Sequence, residues 1–161
     1  MRTIFVTDTT FWIDYYGLES LDEPSRKNVA TWFETTLNNG EARIVLTTVI
    51  LCEIIRRLFY IKKMDVKKIK TITRSLRKSF SNVIVADFTN GSLHDIVELL
   101  DRLPSNIQCD IGEMSLLSEL KLADSVLVSS DKNALYSYKF VGRLNPRIFP
   151  HIVTPAGNEI K

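Results

Sequence analysis

The chain has little of what marks several common protein classes. It holds two cysteines, Cys52 and Cys109, too few for a disulfide framework and without metal-ligand spacing between them. The simplest reading is a pair of buried free thiols in a reducing compartment, with pairing between them left open. Its two histidines, His94 and His151, have no metal-ligand spacing. No apolar run is long enough to span a bilayer. The run Ile4-Phe5-Val6 is too short for a signal-peptide core and no small-residue cleavage site follows it, so a cytoplasmic protein is expected. Internal repeats, low-complexity tracts and Gly/Ser/Pro-rich linkers are all missing. The expectation is one domain across residues 1–161.

What is present is an ordinary globular composition, 45% hydrophobic and 25% charged, enough to build a real core. The net charge of +2 says nothing as a total, but its distribution does. Ten of the 21 basic residues lie between Arg56 and Lys78, where the only acid is Asp65. Four runs read as buried strands: Thr3–Thr7, Arg43–Thr47, Asn82–Ala86 and Ser125–Ser129. Each has consecutive apolar residues rather than alternation, as strands covered on both faces do. A weaker run, Ile148–Val153, is broken by Pro150 and suits an edge. Helical patterns lie between them at Pro24–Asn39, Thr48–Tyr60, Asp65–Phe80, Leu93–Leu103 and Ile111–Leu122. Strands alternating with helices predict an α/β fold with a mainly parallel sheet of about five strands between helical layers.

In such a sheet, ligands gather beyond the carboxyl ends of the strands. Asp8 follows the first predicted strand and Asp131 the fourth. Either alone reads as a helix N-cap; two at the same end of one sheet bring a site reading level with that one. Glu53 sits in Val49-Ile50-Leu51-Cys52-Glu53-Ile54-Ile55, ringed by apolar residues. A carboxylate there is expected to be buried or half-buried, and ionised burial without a partner costs several kcal/mol. Arg56 and Arg57 are candidates, weakened because neighbouring helix residues point in different directions; a metal ion explains the placement better. Asp110-Ile111-Gly112-Glu113 opens a helix, with Asp110 and Glu113 able to form a capping box and still face the pocket. Three to five oxygen ligands without His or Cys favour Mg²⁺ or Mn²⁺, ions suited to phosphodiester hydrolysis. Asp14, Asp87 and Asp124 read as loop or helix-end acids outside the site.

These segments resemble the PIN domain family, the nuclease fold of VapC-type toxins and several RNA-processing factors. The resemblance rests on Val6-Thr7-Asp8-Thr9-Thr10, Leu46-Thr47-Thr48 leading to Glu53, Asp110-Ile111-Gly112-Glu113, Val128-Ser129-Ser130-Asp131 and the closing Ile152-Val153-Thr154-Pro155, in the family's order along nearly the whole chain. It implies a three-layer α/β/α sandwich and a divalent-metal-dependent ribonuclease. Asp8, Glu53, Asp110 and Asp131 would be the catalytic metal ligands, with Thr10 and Ser129 in supporting places. The Gly112-Glu113 pair replaces the alanine-rich helix of many toxin-type members and resembles a subgroup in which Glu113 assists the metal site. The resemblance also implies an antitoxin partner and a homodimer. Lys62, Lys63, Lys67, Lys68, Lys70 and Arg74, with Arg77 and Lys78, would hold RNA phosphates; the bland alternative is a solvated helix face. The competing function is a catalytically silent PIN-like module that binds nucleic acid or protein. A receiver-like phosphoryl-transfer domain is disfavoured, because no Asp-x-Asp follows the first strand although Lys132 adjoins Asp131.

Overall fold

A computed structural model describes residues 3–16, 23–78, 82–87, 89, 93–94, 96–98, 110–119, 125–129 and 151–153. Five strands, β1 (Thr3–Thr7), β2 (Ala42–Thr47), β3 (Val83–Ala86), β4 (Ser125–Val128) and β5 (His151–Val153), form one sheet in the order β3-β2-β1-β4-β5. Every pairing is parallel. The sequence-predicted α/β/α sandwich around a parallel sheet is therefore the fold, and the Pro150-broken run does supply an edge strand, β5. The chain steps outward from β1 to β2 to β3, then returns past β1 to β4. Right-handed crossovers put the helices of the two directions on opposite faces. The reversal between β1 and β4 is the topological switch point, where open α/β sheets form their ligand crevice.

The helices are α1 (Thr9–Tyr15), α2 (Glu23–Asn38), α3 (Thr48–Arg56), α4 (Val66–Lys78) and α5 (Ile111–Glu119). Of the predicted helix Leu93–Leu103, only residues 93–94 and 96–98 are described. On α2, Val29 and Phe33 are buried, with Trp32 and Leu37 packed against the core. On α4, Ile69 and Leu76 are buried, but Val66 at the head of the predicted stripe is exposed. No helix among the described residues is long and apolar enough to cross a membrane.

Two elements differ from the sequence reading. The helix α1 went unpredicted because Thr-Thr-Phe-Trp-Ile-Asp-Tyr is rich in β-branched and aromatic residues of low helix propensity. Seven residues would not stay helical alone. Phe11, Trp12 and Ile13 are buried, and Phe11 stacks edge-on against Trp32 with ring centroids 5.3 Å apart. Burial of side chains this large contributes roughly 1.5–3 kcal/mol each, enough to outweigh propensity. The same burial, with Tyr15 alongside, pushes the Tyr16 hydroxyl far above the usual phenol range and keeps it neutral.

The second difference is at the end of α3, predicted as regular helix to Tyr60. Instead Arg57–Ile61 forms a π-helical turn. Leu58 stays fully buried while Phe59, Tyr60 and Ile61 turn outward. The turn closes with Lys62 N–H donating to the Arg57 carbonyl at 3.1 Å and Met64 N–H to the Leu58 carbonyl at 3.0 Å. Between them Lys63 adopts a left-handed φ of 50°, a position that favours glycine. Lys63→Gly is expected to raise stability by about 0.5–1 kcal/mol, since the left-handed conformation costs an L-residue roughly 1–2 kcal/mol and glycine returns part of that as chain entropy. Urea unfolding checks it; an unchanged or lowered midpoint would show that Lys63 sits there without strain.

Candidate functional site

Asp8 follows β1 and caps α1: its Oδ1 accepts the Thr9 backbone N–H at 2.7 Å. Its own backbone N–H donates to the Val128 carbonyl at 3.0 Å, tying it to the end of β4 across the switch point. Ser129, the residue after β4, donates to Asp8 Oδ2 at 2.6 Å, and Thr10 Oγ1 lies 3.3 Å from the same oxygen and 3.2 Å from Ser129 Oγ. The Asp8 carboxylate is buried among hydroxyls, with 8% of its surface exposed. Below it Trp12 Nε1–H donates to Thr7 Oγ1 at 2.9 Å, and Thr7 donates to the Val45 carbonyl at 2.8 Å. Each polar group at this strand end is therefore matched, which holds α1 in one place on the sheet.

The second part of the site lies between α3 and α5. Thr47, at the end of β2, caps α3 by accepting the Ile50 N–H at 3.2 Å and is hydrogen-bonded to Ser115 of α5 at 2.8 Å. Asp110 and Glu113 form a reciprocal capping box, with Glu113 N–H to Asp110 Oδ1 at 2.8 Å and Asp110 N–H to Glu113 Oε2 at 3.0 Å. Gly112 is the second residue of α5, and its bare α-carbon faces Glu53. A Cβ there would stand 2.9 Å from Glu53 Oε2, 3.2 Å from Asp110 Oδ1 and 3.3 Å from Ile50 Cδ1. The two carboxylates thus flank a spot that only glycine leaves open. Val49, Cys52, Glu53, Arg56, Asp110, Ile111 and Gly112 line a cleft of about 370 Å³ there.

Thr9 joins the two parts. Its hydroxyl donates to Glu53 Oε2 at 2.7 Å, so α1, capped by Asp8, also fixes the Glu53 carboxylate. Sequence reasoning singled out Thr10 and missed Thr9; a hydroxyl directly after a strand-end acid was the available signal. Glu53 is half-buried, and Arg57 Nη2 lies 3.8 Å from its Oε1. The ion pair discounted from sequence is thus present, because Arg57 stands at i+4 rather than next to Glu53. Both side chains are 30% exposed, and a long contact under that much solvent contributes little.

Cys52 is exposed in the cleft, contrary to the expectation of a buried thiol, while Cys109 lies outside the described residues. Asp131 also lies outside them, as do Lys132 and Asp124. Asp14 is buried near the end of α1, and Asp87 is exposed beyond β3. Among the described residues no group of three His, Cys, Asp or Glu side chains is close enough to hold a metal ion. Glu53 and Asp110, which approach the Gly112 Cα together, offer oxygen donors only, the chemistry that a hard divalent cation takes. Lys62, Lys63, Lys67, Lys68, Lys70, Arg74, Arg77 and Lys78 are all exposed, and Lys70, Arg74, Arg77 and Lys78 border a groove of about 730 Å³ floored by Ile55, Val66 and Ile69.

No family model matches the sequence, and no curated protein matches it. Among solved structures the chain is similar to one in the crystal structure of VapBC2 from Rickettsia felis bound to a DNA fragment from their promoter, with a TM-score of 0.59 over 94% of this chain and 98% of that one. At 14% identity the likeness speaks for the fold alone. That fold is PIN-like.

Proposed function

We propose that this chain is a divalent-metal-dependent endoribonuclease acting as one PIN-like domain. The observation that carries the reading is the approach of Glu53 and Asp110 to the bare Cα of Gly112, with Glu53 linked through Thr9 to Asp8 at the switch point. Asp8, Glu53, Asp110 and Asp131 would hold Mg²⁺ or Mn²⁺. The ion, when bound, supplies a water of lowered pKa, a hold on the scissile phosphate and charge neutralisation at the leaving oxygen. The chain supplies positioning. Ser129 and Thr10 orient Asp8, Thr9 fixes Glu53, and Glu113 fixes Asp110 through the capping box. Lys62, Lys63, Lys67, Lys68, Lys70 and Arg74 would grip backbone phosphates without reading sequence. A toxin role with an antitoxin as partner draws on the likeness to a chain of VapBC2; the homodimer comes with the resemblance of the sequence segments alone.

The test is cleavage of a mixed RNA pool with Mg²⁺ or Mn²⁺, with and without chelator, alongside Glu53→Gln. Cleavage is expected only with metal, and the variant is expected to lose it. Full activity in chelator or in the variant would sink the reading. A second reading is a catalytically silent RNA- or protein-binding module that keeps the fold and the exposed basic face of α4. It predicts salt-sensitive RNA binding and no cleavage with any divalent ion.

A further inference from the structure

The π-helical turn Arg57–Ile61 is not explained by the cleft. It leaves three consecutive large apolar residues in solvent: Phe59 at 43%, Tyr60 at 63% and Ile61 at 59% exposure. Scattered exposed apolar residues need no explanation, but a contiguous run beside a one-signed charge patch points to a binding surface. π-Helical turns are themselves rare and concentrate at functional positions. Lys62, Lys63, Lys67 and Lys70 follow directly, all exposed. Tyr60 lies seven residues beyond Glu53 on the same helix run, a rise of roughly 10 Å.

Charge decides what fits there. In a symmetric dimer through this patch the same lysines would face each other, which like-charge repulsion opposes. A polyanion with flat apolar groups fits both halves of the surface: cations take its phosphates and aromatic rings take its bases. Duplex RNA hides its bases, so the ligand must be single-stranded.

We propose that the π-helical turn is a base-stacking platform. Tyr60, with the Phe59 ring edge-on to it at 4.9 Å and 88°, takes an unpaired nucleobase of an RNA strand whose phosphates Lys62, Lys63 and Lys67 hold. The proposal deepens the ribonuclease reading and rests on it for the choice of RNA. It adds a recognition site outside the carboxylate cleft.

The test is binding of a short fluorescein-labelled oligouridine and of an RNA duplex of equal length, by anisotropy in chelator so that nothing is cut. Tyr60→Ala is expected to weaken single-strand binding about fivefold or more, the size usual for a lost base–aromatic stack, and Tyr60→Phe to stay within about twofold. Duplex binding and the salt slope should not change, since no phosphate contact is removed. Oligouridine binding that survives Tyr60→Ala, an equal loss on duplex, or a wild-type chain that ignores single strands would each overturn the platform. So would a drop in oligomeric state with Tyr60→Ala, which would make the patch a contact between copies. Cleavage of the RNA pool with Mn²⁺ is scored separately. A chain that cuts RNA without Tyr60-dependent binding loses the platform alone; one with Tyr60-dependent binding that never cuts loses the ribonuclease and keeps the platform.

Discussion

Asp8→Asn is expected to lower metal-dependent RNA cleavage by at least about a hundredfold while the chain stays folded, because even groups that merely support metal ligands are worth about 10–100-fold. The substitution removes a charge and little else. Asparagine caps a helix as well as aspartate does, so the bond from the Thr9 N–H to Oδ1 is kept. At Oδ2 an amide would replace an acceptor that now takes the Ser129 hydroxyl at 2.6 Å. Hydroxyls accept as well as donate, so Ser129 and Thr10 can turn and receive the new N–H. The stability cost should be about 1 kcal/mol, the net worth of one exchanged hydrogen bond. Asp8→Ala makes the contrast: it removes the cap and takes the acceptor from the buried Ser129 hydroxyl and the half-buried Thr10 hydroxyl, and should cost about 2–4 kcal/mol as well as activity. Urea unfolding and cleavage rates on the three proteins separate the effects. If Asp8→Asn keeps both the fold and the wild-type cleavage rate, Asp8 is a structural cap, and its place in the metal site is lost.

How much of this was legible in the sequence depended on whether local pattern or distant packing was in charge. The strands could be read because residues such as Val45, Leu46, Leu127 and Val128 are apolar on both faces, and only a doubly covered strand needs that. The Asp110–Glu113 box was legible because it is closed within four residues. By contrast, α1 is held by an aromatic cluster drawn from β1 and α2, including Phe5, Trp32 and Phe33, and nothing in Thr9–Tyr15 announces it. The π-helical turn has no local signature in Arg-Leu-Phe-Tyr-Ile either. Thr9 as the partner of Glu53 lies 44 residues away in sequence, reachable only once the sheet order sets β1 beside β2. Arg57 at i+4 was within reach of the helix rule and was set aside on adjacency alone.

Gly112→Ala should leave stability nearly unchanged and lower cleavage at least about tenfold, a cost within the range for losing the support of a metal ligand. Within a helix, glycine to alanine ordinarily stabilises by about 0.5–1 kcal/mol. Here the new methyl would meet Glu53 Oε2 at 2.9 Å, closer than side chains tolerate, so the carboxylate has to move. That movement costs the fold little. Glu53 keeps 30% of its side chain exposed and its oxygen is the end of a flexible side chain, so it can swing toward solvent or Arg57. It costs the site more, because the displaced oxygen is the one that accepts from Thr9 at 2.7 Å. The tighter constraint on folding is Ile50 Cδ1 at 3.3 Å, on a fully buried side chain with less room to yield. The propensity gain and this strain should roughly cancel, for a net change within about 1 kcal/mol. Thr9→Val offers a second route to the same end, since it frees Glu53 without adding bulk. If the open Cα of Gly112 exists to seat the two carboxylates, both variants lose cleavage with the fold intact. A Gly112→Ala chain that cuts RNA at the wild-type rate would instead mark the close approach as packing between α3 and α5, and would remove the observation on which the metal site chiefly stands.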